Sequence, residues 1–149
     1  MRLKDKVTII TGAGGSLGRA TAQLFGQEGA KLVLVEINRK AGEETLSTVK
    51  AQGIDAIFVP TDVTNDDDIG RMVKAALDKY ERIDGLINIA GVTPVYPALE
   101  TPVEVWDQTF NLNIKSHFLI RVNSLYRLYN FIQIFFIANC LDSFFLDFF

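Results

Sequence analysis

The chain has 149 residues, 48% of them apolar and 22% charged, and a formal net charge of −3 from 15 basic and 18 acidic side chains. That length suits one domain and not two, and the composition excludes wholesale disorder. No basic stripe is present, which argues against a nucleic-acid partner, and a single cysteine, Cys140, excludes a disulfide framework or a multi-cysteine metal site. Met1 and its neighbours up to Lys6 are polar, and the apolar run behind them is too short for a signal peptide, so the expectation is a cytoplasmic protein without membrane contact.

In chain order, residues 7–10 (VTII) form a β-branched run that stops at the glycines from Gly12, and they predict a buried strand. Leu17, Ala20, Leu24 and Phe25 recur at helical spacing, and Gly29 closes that helix. Residues 31–36 (KLVLVE) predict a second buried strand, 39–52 a polar helix closed by Gly53, and 56–59 (AIFV) a third strand. Thr64 followed by Asp67 has the form of a capping box, with Asp66 and Asp68 adding first-turn negative charge rather than a metal site. The helix they start carries Ile69, Met72, Val73, Ala76, Leu77 and Tyr80 on one face. Residues 86–89 (LINI) predict a fourth strand. Pro94, Pro97 and Pro102 mark a loop; a helix starts near Pro102, and an apolar-striped helix runs from about Asn111 to Arg121 or beyond. Trp106 is expected to pack a helix onto the sheet, and the lone His117 to serve packing or an interface.

Strands alternating with helices predict an α/β fold: a doubly wound parallel sheet, here its first four strands with flanking helices. Ligands in such folds bind outside the carboxyl ends of the strands. Residues 11–18 (TGAGGSLG) stand there, between a strand and a helix. Glycines let backbone N–H groups approach a pyrophosphate, and the helix N-terminus adds partial positive charge. This is no Walker A loop, because no Gly-Lys-Ser/Thr follows. Glu36 ends the second strand, 24 residues after Gly12. A carboxylate there accepts from the adenosine ribose hydroxyls and repels a 2′-phosphate, which favours NAD over NADP, while Arg39 nearby keeps a phosphate-tolerant alternative open.

With these residues the body resembles the short-chain dehydrogenases/reductases. Their motif Thr-Gly-x-x-x-Gly-x-Gly maps onto Thr11, Gly12, Ser16 in place of the middle glycine, and Gly18, with Leu17 between. Their adenine-contacting Asp-Val pair matches Asp62 and Val63. Their Asn-Asn-Ala-Gly matches Asn88, Ala90 and Gly91, with Ile89 in place of the second Asn. Their helix-borne tetrad Asn matches Asn113 within 106–118 (WDQTFNLNIKSHF). The resemblance runs from about residue 3 to about 121. It implies a Rossmann-like NAD(P)-binding domain, hydride transfer on an alcohol or ketone, and homo-oligomers of the kind intact family members form. It also implies cofactor contacts at Gly12, Ser16, Leu17, Gly18, Glu36, Asp62, Val63, Asn88, Ala90 and Gly91. Ser16 adds a Cβ where close packing is expected, which implies weakened binding. Ile89 removes an amide expected to brace the central strands.

The rest of the tetrad is not matched. In the family a Ser positions the substrate oxygen, a Tyr is the acid/base, and a Lys lowers the Tyr pKa, because an unassisted phenol titrates near pH 10. Here Tyr126 is followed four residues on by Asn130, Tyr129 by Gln133, Tyr80 by Asp84 and Tyr96 by Glu100; no Lys follows Lys115. Ser124 and Ser143 lack the family's context, and Cys140 stands near the expected Ser by coincidence. The composition also changes: all 11 Gly lie between Gly12 and Gly91, and residues 122–149 hold seven of the 11 Phe but only three charges. The reading is therefore a body, 1–121, and an anomalous tail, 122–149. The favoured account of the tail is a non-native extension from truncation or frameshift; the others are a makeshift fifth strand at 131–138 and a membrane segment, for which 14 apolar-biased residues are short of the roughly 20 required. Two functions stay open: an NAD(P)-dependent oxidoreductase, and a catalytically inactive fragment with at most nucleotide binding.

Overall fold

A computed structural model of the protein describes residues 1–125 and 132–135. Strand β1 (Val7–Thr11) is buried along its whole length, as the central strand of a two-faced sheet must be. It pairs in parallel with β2 (Lys31–Glu36) on one side and β4 (Gly85–Asn88) on the other. Strand β3 (Ala56–Pro60) pairs with β2, and β5 (Ile132–Phe135) pairs with β4, giving the order β3-β2-β1-β4-β5. Four strands stand where the residue pattern places them. The fifth extends the expected four, with Gly85 opposite Ile132 and Asn88 opposite Phe135.

Alternation along the strands sends side chains to two cores. Val7, Ile9, Val33, Val35 and Leu86 face one side. There they meet Ile69, Met72, Val73 and Ala76 of α3 (Asp66–Tyr80) and Ile120 of α5 (Ser116–Leu125). Ile10, Leu32, Leu34 and Ile87 face the other side, against Ala22 of α1 (Ser16–Gln27) and Val49 of α2 (Arg39–Ala51). The striped face of α3 is buried as its periodicity requires, with Leu77 and Tyr80 at its margin. Gly29 and Gly53 follow α1 and α2 with φ of 92° and 76°, conformations that favour glycine.

Three local expectations are corrected. Asn65, not Thr64, caps α3, accepting from the Asp68 amide at 3.1 Å; the Thr64 hydroxyl turns instead to Asp62 Oδ1 at 2.7 Å. The two helices expected from Pro102 onward are one helical run. Helix α4 (Val103–Phe110) passes through a π-turn (Asn111–Lys115) into α5. Trp106 does not reach the sheet: it is half-exposed and stacks on Phe110, ring centroids 4.4 Å apart. Among the described residues no helix is long and apolar enough to cross a membrane. Tyr126, Tyr129, Asn130, Cys140 and Ser143 lie outside the described residues.

Candidate functional site

A cavity of about 680 Å³ opens at the carboxyl ends of β1 to β4. Of the residues singled out above, Gly12, Ser16, Leu17, Glu36, Asp62, Val63, Ala90 and Gly91 line it, together with Gly15. Gly18, Asn88 and Asn113 stand behind the lining.

The glycine turn is built by exclusion. Gly12 holds φ +66°, and a Cβ there would sit 2.8 Å from the Ala90 nitrogen, so β1 and β4 can close on each other only through glycine. A Cβ on Gly18 would overlap the Gly12 carbonyl oxygen. The tight packing expected to disfavour Ser16 falls on Gly18 instead: Ser16 is exposed, opens α1 and lines the cavity. At this end of α1 no side chain caps the helix and no acid occupies the first turn. Its first amides and the positive end of its dipole are thus available to an anion in the cavity.

Glu36 crosses from β2 to that turn. Its Oε2 accepts from the Gly14 amide at 3.1 Å and its Oε1 from the Asn38 amide at 3.0 Å. Each oxygen keeps a further acceptor position, so the carboxylate both braces the turn and remains able to accept hydroxyls. Arg39, at the start of α2, pairs with Glu43 at 3.6 Å and is not among the cavity-lining residues. Asp62 Oδ1 accepts from the Thr64 amide at 2.9 Å, and its own amide donates to Asp68 Oδ2 at 2.9 Å, which holds the β3–α3 loop against the cavity.

The fourth wall is residues 89–92, past the end of β4. The Thr11 hydroxyl oxygen accepts from the amides of Ile89 at 3.1 Å and Ala90 at 3.2 Å. Asn113, buried on the π-turn, accepts from the Val92 amide at 2.9 Å and donates from Nδ2 to the Val92 carbonyl at 2.7 Å. Ile89 packs into the core on the α1/α2 side, and the bracing expected of an amide there falls to Thr11. Asn88 is fully buried, and among the described residues neither of its side-chain polar atoms has a hydrogen-bond partner. Burial holds His117 below its ordinary pKa, partly offset by the nearby Ala90 backbone.

Some lining residues escaped the sequence reading. Gln108, Asn111 and Leu112 reach the cavity because α4 and the π-turn fold over the end of β4, and no local pattern marks that approach. Thr11 stood in the motif only as its first residue.

A nicotinamide dinucleotide fits this donor set. An uncapped helix N-terminus suits the pyrophosphate, a strand-end carboxylate suits a ribose, and the volume is that of a small-molecule pocket.

Comparison with known proteins agrees. Residues 6–129 match the family model described as short chain dehydrogenase. An uncharacterized oxidoreductase of Listeria monocytogenes is 39% identical over 115 residues, which is 77% of this chain and 46% of that protein. A cyclopentanol dehydrogenase of a Comamonas species is 34% identical over 118 residues, 79% of this chain and 47% of that protein. The crystal structure of an NAD⁺-bound xylitol dehydrogenase superposes with a TM-score of 0.84 at 26% identity, over 89% of this chain and 54% of that one. The chain spans about half the length of the curated relatives it matches.

Proposed function

The chain belongs to the short-chain dehydrogenase family, and from that premise we propose that it forms the dinucleotide-binding portion of an NAD-dependent oxidoreductase acting on an alcohol or ketone. One observation carries the reading: the uncapped N-terminus of α1 and the Glu36 carboxylate face one cavity. The pyrophosphate lies against the first amides of α1 and the Ser16 hydroxyl, beside Gly12, Leu17 and the closely packed Gly18. Glu36 receives the adenosine ribose, Asp62 and Val63 flank the adenine, and Ala90 and Gly91 border the nicotinamide end. Asn88 supports that end from the interior, and Asn113 is the tetrad position this chain supplies. The bound dinucleotide supplies the hydride acceptor. The ribose-facing carboxylate and the Arg39–Glu43 pair favour NAD over NADP.

Three further readings belong to the proposal. The protein acts in the cytoplasm. Residues 1–121 are the N-terminal portion of the NAD(P)-binding domain, and 122–149 follow different compositional rules. Copies associate through the exposed stripe Val103, Trp106, Phe110, Ile114 and Phe118.

A second reading, nucleotide binding without turnover, is favoured by a specific observation: no Tyr in this sequence is followed four residues later by Lys. A thermal melt of the 149-residue chain with and without millimolar NAD⁺ tests the binding shared by both. At a hundredfold its Kd a ligand adds about 2.7 kcal/mol, so the midpoint rises; a cooperative melt indifferent to NAD⁺ sinks the proposal. NADH formation across a panel of alcohols then separates the two readings, and its absence leaves binding alone.

A further inference from the structure

Residues 12–15 (GAGG) have no polar side chain, yet the two peptide groups that flank Gly14 are held at all four polar ends. The Ala13 carbonyl accepts from the buried Thr45 hydroxyl at 3.0 Å, and the Gly14 amide donates to Glu36 Oε2 at 3.1 Å. The Gly14 carbonyl accepts from Arg19 Nε at 2.9 Å, and the Gly15 amide donates to the Gly12 carbonyl at 3.1 Å. Arg19 is the member of this set that helix formation does not explain. It is in the first turn of α1, where a cation opposes the helix dipole, and it is not among the residues that line the cavity. Its side chain runs back toward the helix start, as helical side chains do, and divides its donors. Nε goes to Gly14, and Nη2 goes to Glu44 Oε2 on α2 at 2.9 Å. The planar guanidinium thus ties the Gly14 carbonyl to α2. Gly14 is also closely packed: a Cβ there would lie 2.7 Å from Ala41 Cβ and 2.9 Å from Glu36 Cγ.

We infer that Arg19 is a positioning residue for Glu36. It grips the carbonyl of the residue whose amide holds the Glu36 carboxylate at the cavity. Glycine has the widest backbone freedom, so without that grip the peptide after Gly14 rotates and draws the Gly14 amide away from Oε2. Arg19 does this from outside the cavity, without touching what the cavity binds. The consequence for cofactor affinity rests on the dinucleotide reading above; the grip on Gly14 does not.

The test uses the full 149-residue chain, with NAD⁺ as the ligand probe. Arg19→Leu removes every donor. Arg19→Lys keeps the charge and the reach toward Glu44, but it has the methylene Cε where Arg has Nε, so it offers Gly14 no donor there. The Kd for NAD⁺ is read by calorimetry. Amide hydrogen exchange is read at Gly14 and Gly15 in the ligand-free protein, with α3 amides as the internal reference. Both variants are expected to raise the Kd about threefold to tenfold and to speed exchange at the turn by a similar factor, the loss of roughly one hydrogen bond, with α3 unchanged. A double-mutant cycle then asks what Arg19 acts through. On a Glu36→Ala background, Arg19→Leu is expected to change the Kd by less than about twofold, because no carboxylate remains to be positioned. A full, additive loss on that background overturns the inference. Wild-type affinity in Arg19→Lys overturns it too, because the role is then charge alone. If Arg19→Leu does not fold, Arg19→Lys takes its place in the cycle. Wild-type protein that binds no NAD⁺ overturns the cofactor reading, while the exchange rates still decide the grip: unchanged protection at Gly14 and Gly15 in both variants overturns it.

Discussion

Gly18 does more than relax the backbone: its missing Cβ is the space that the Gly12 carbonyl oxygen occupies. Gly18→Ala therefore has to push the turn away from α1. Overpacking of this kind costs about 1–3 kcal/mol, and here it also displaces the amides that face the cavity. The expected result is at least about a tenfold weaker Kd for NAD⁺ by calorimetry, since 1.4 kcal/mol corresponds to tenfold. An unchanged Kd would show that the turn does not carry the phosphate. Gly53 provides the contrast: nothing lies within 4 Å of the Cβ it lacks, and only its positive φ calls for glycine. Ser16, the departure from the family motif, costs no packing because it opens toward the cavity, where its hydroxyl is available to an anion.

The strands that carry the site are tied at their opposite ends by Asp84, just before β4. Its Oδ2 accepts from the Val7 amide at 2.9 Å and from Arg82 Nε at 2.8 Å, and Lys6 Nζ lies 3.4 Å from Oδ1. Partial burial alone would raise the carboxyl pKa, but the Arg82 and Val7 hydrogen bonds and the charges of Arg82 and Lys6 hold it below its ordinary value. Asp84→Ala leaves the Val7 amide unpaired and is expected to lower unfolding stability by about 1–3 kcal/mol in urea titration. The sign of its pH dependence follows. A lowered carboxyl stabilises the fold above its ordinary value of 3.8 and loses that contribution as pH falls through the folded-state value. The wild type is expected to lose this contribution below about pH 4, and the Ala variant to show no corresponding decline. On the helical side, the π-turn at Asn111–Lys115 carries Asn113 to Val92. Insertions of this type recur at functional positions because they re-aim one side chain without ending the helix.

Across the whole molecule, two cores sandwich one sheet, and His117 is the one histidine. Its folded-state pKa is lowered, so the unfolded chain binds the proton more readily. Stability is expected to be fully present above about pH 6.5 and to fall as pH drops from there toward the lowered value. This window lies above that of Asp84, so an acid titration of the melting midpoint should separate the two. His117→Asn should remove only the upper decline. The outer surface carries Val103, Trp106, Phe110, Ile114 and Phe118, which are between 43% and 69% exposed. In the proposed self-association this stripe is the surface that meets a second copy. Sedimentation is expected to show concentration-dependent self-association that Phe118→Lys weakens about tenfold or more, the effect of losing a buried aromatic of roughly 1.5–3 kcal/mol. A purely monomeric wild type would refute the stripe's role.

Much of this protein was legible in short stretches of sequence. Residues 7–10 and 31–36 declare buried parallel strands by β-branched runs, 56–59 declare a third strand, and α3 declares its core face by spacing, because these signals depend only on the local period of the backbone. The glycine turn and Glu36 could be placed at strand ends for the same reason. Other features required distant segments to meet. Thr11 braces residues 89 and 90, Asp84 anchors Val7, Asn113 grips Val92, and the π-turn brings Gln108 and Asn111 over the cavity. None of these leaves a local trace, because a side chain-to-backbone bond across 20 to 80 residues imposes no periodicity on either partner. Trp106 shows the limit most directly: its sequence setting fits a core anchor, yet the path of the chain leaves it stacked on Phe110 at the surface.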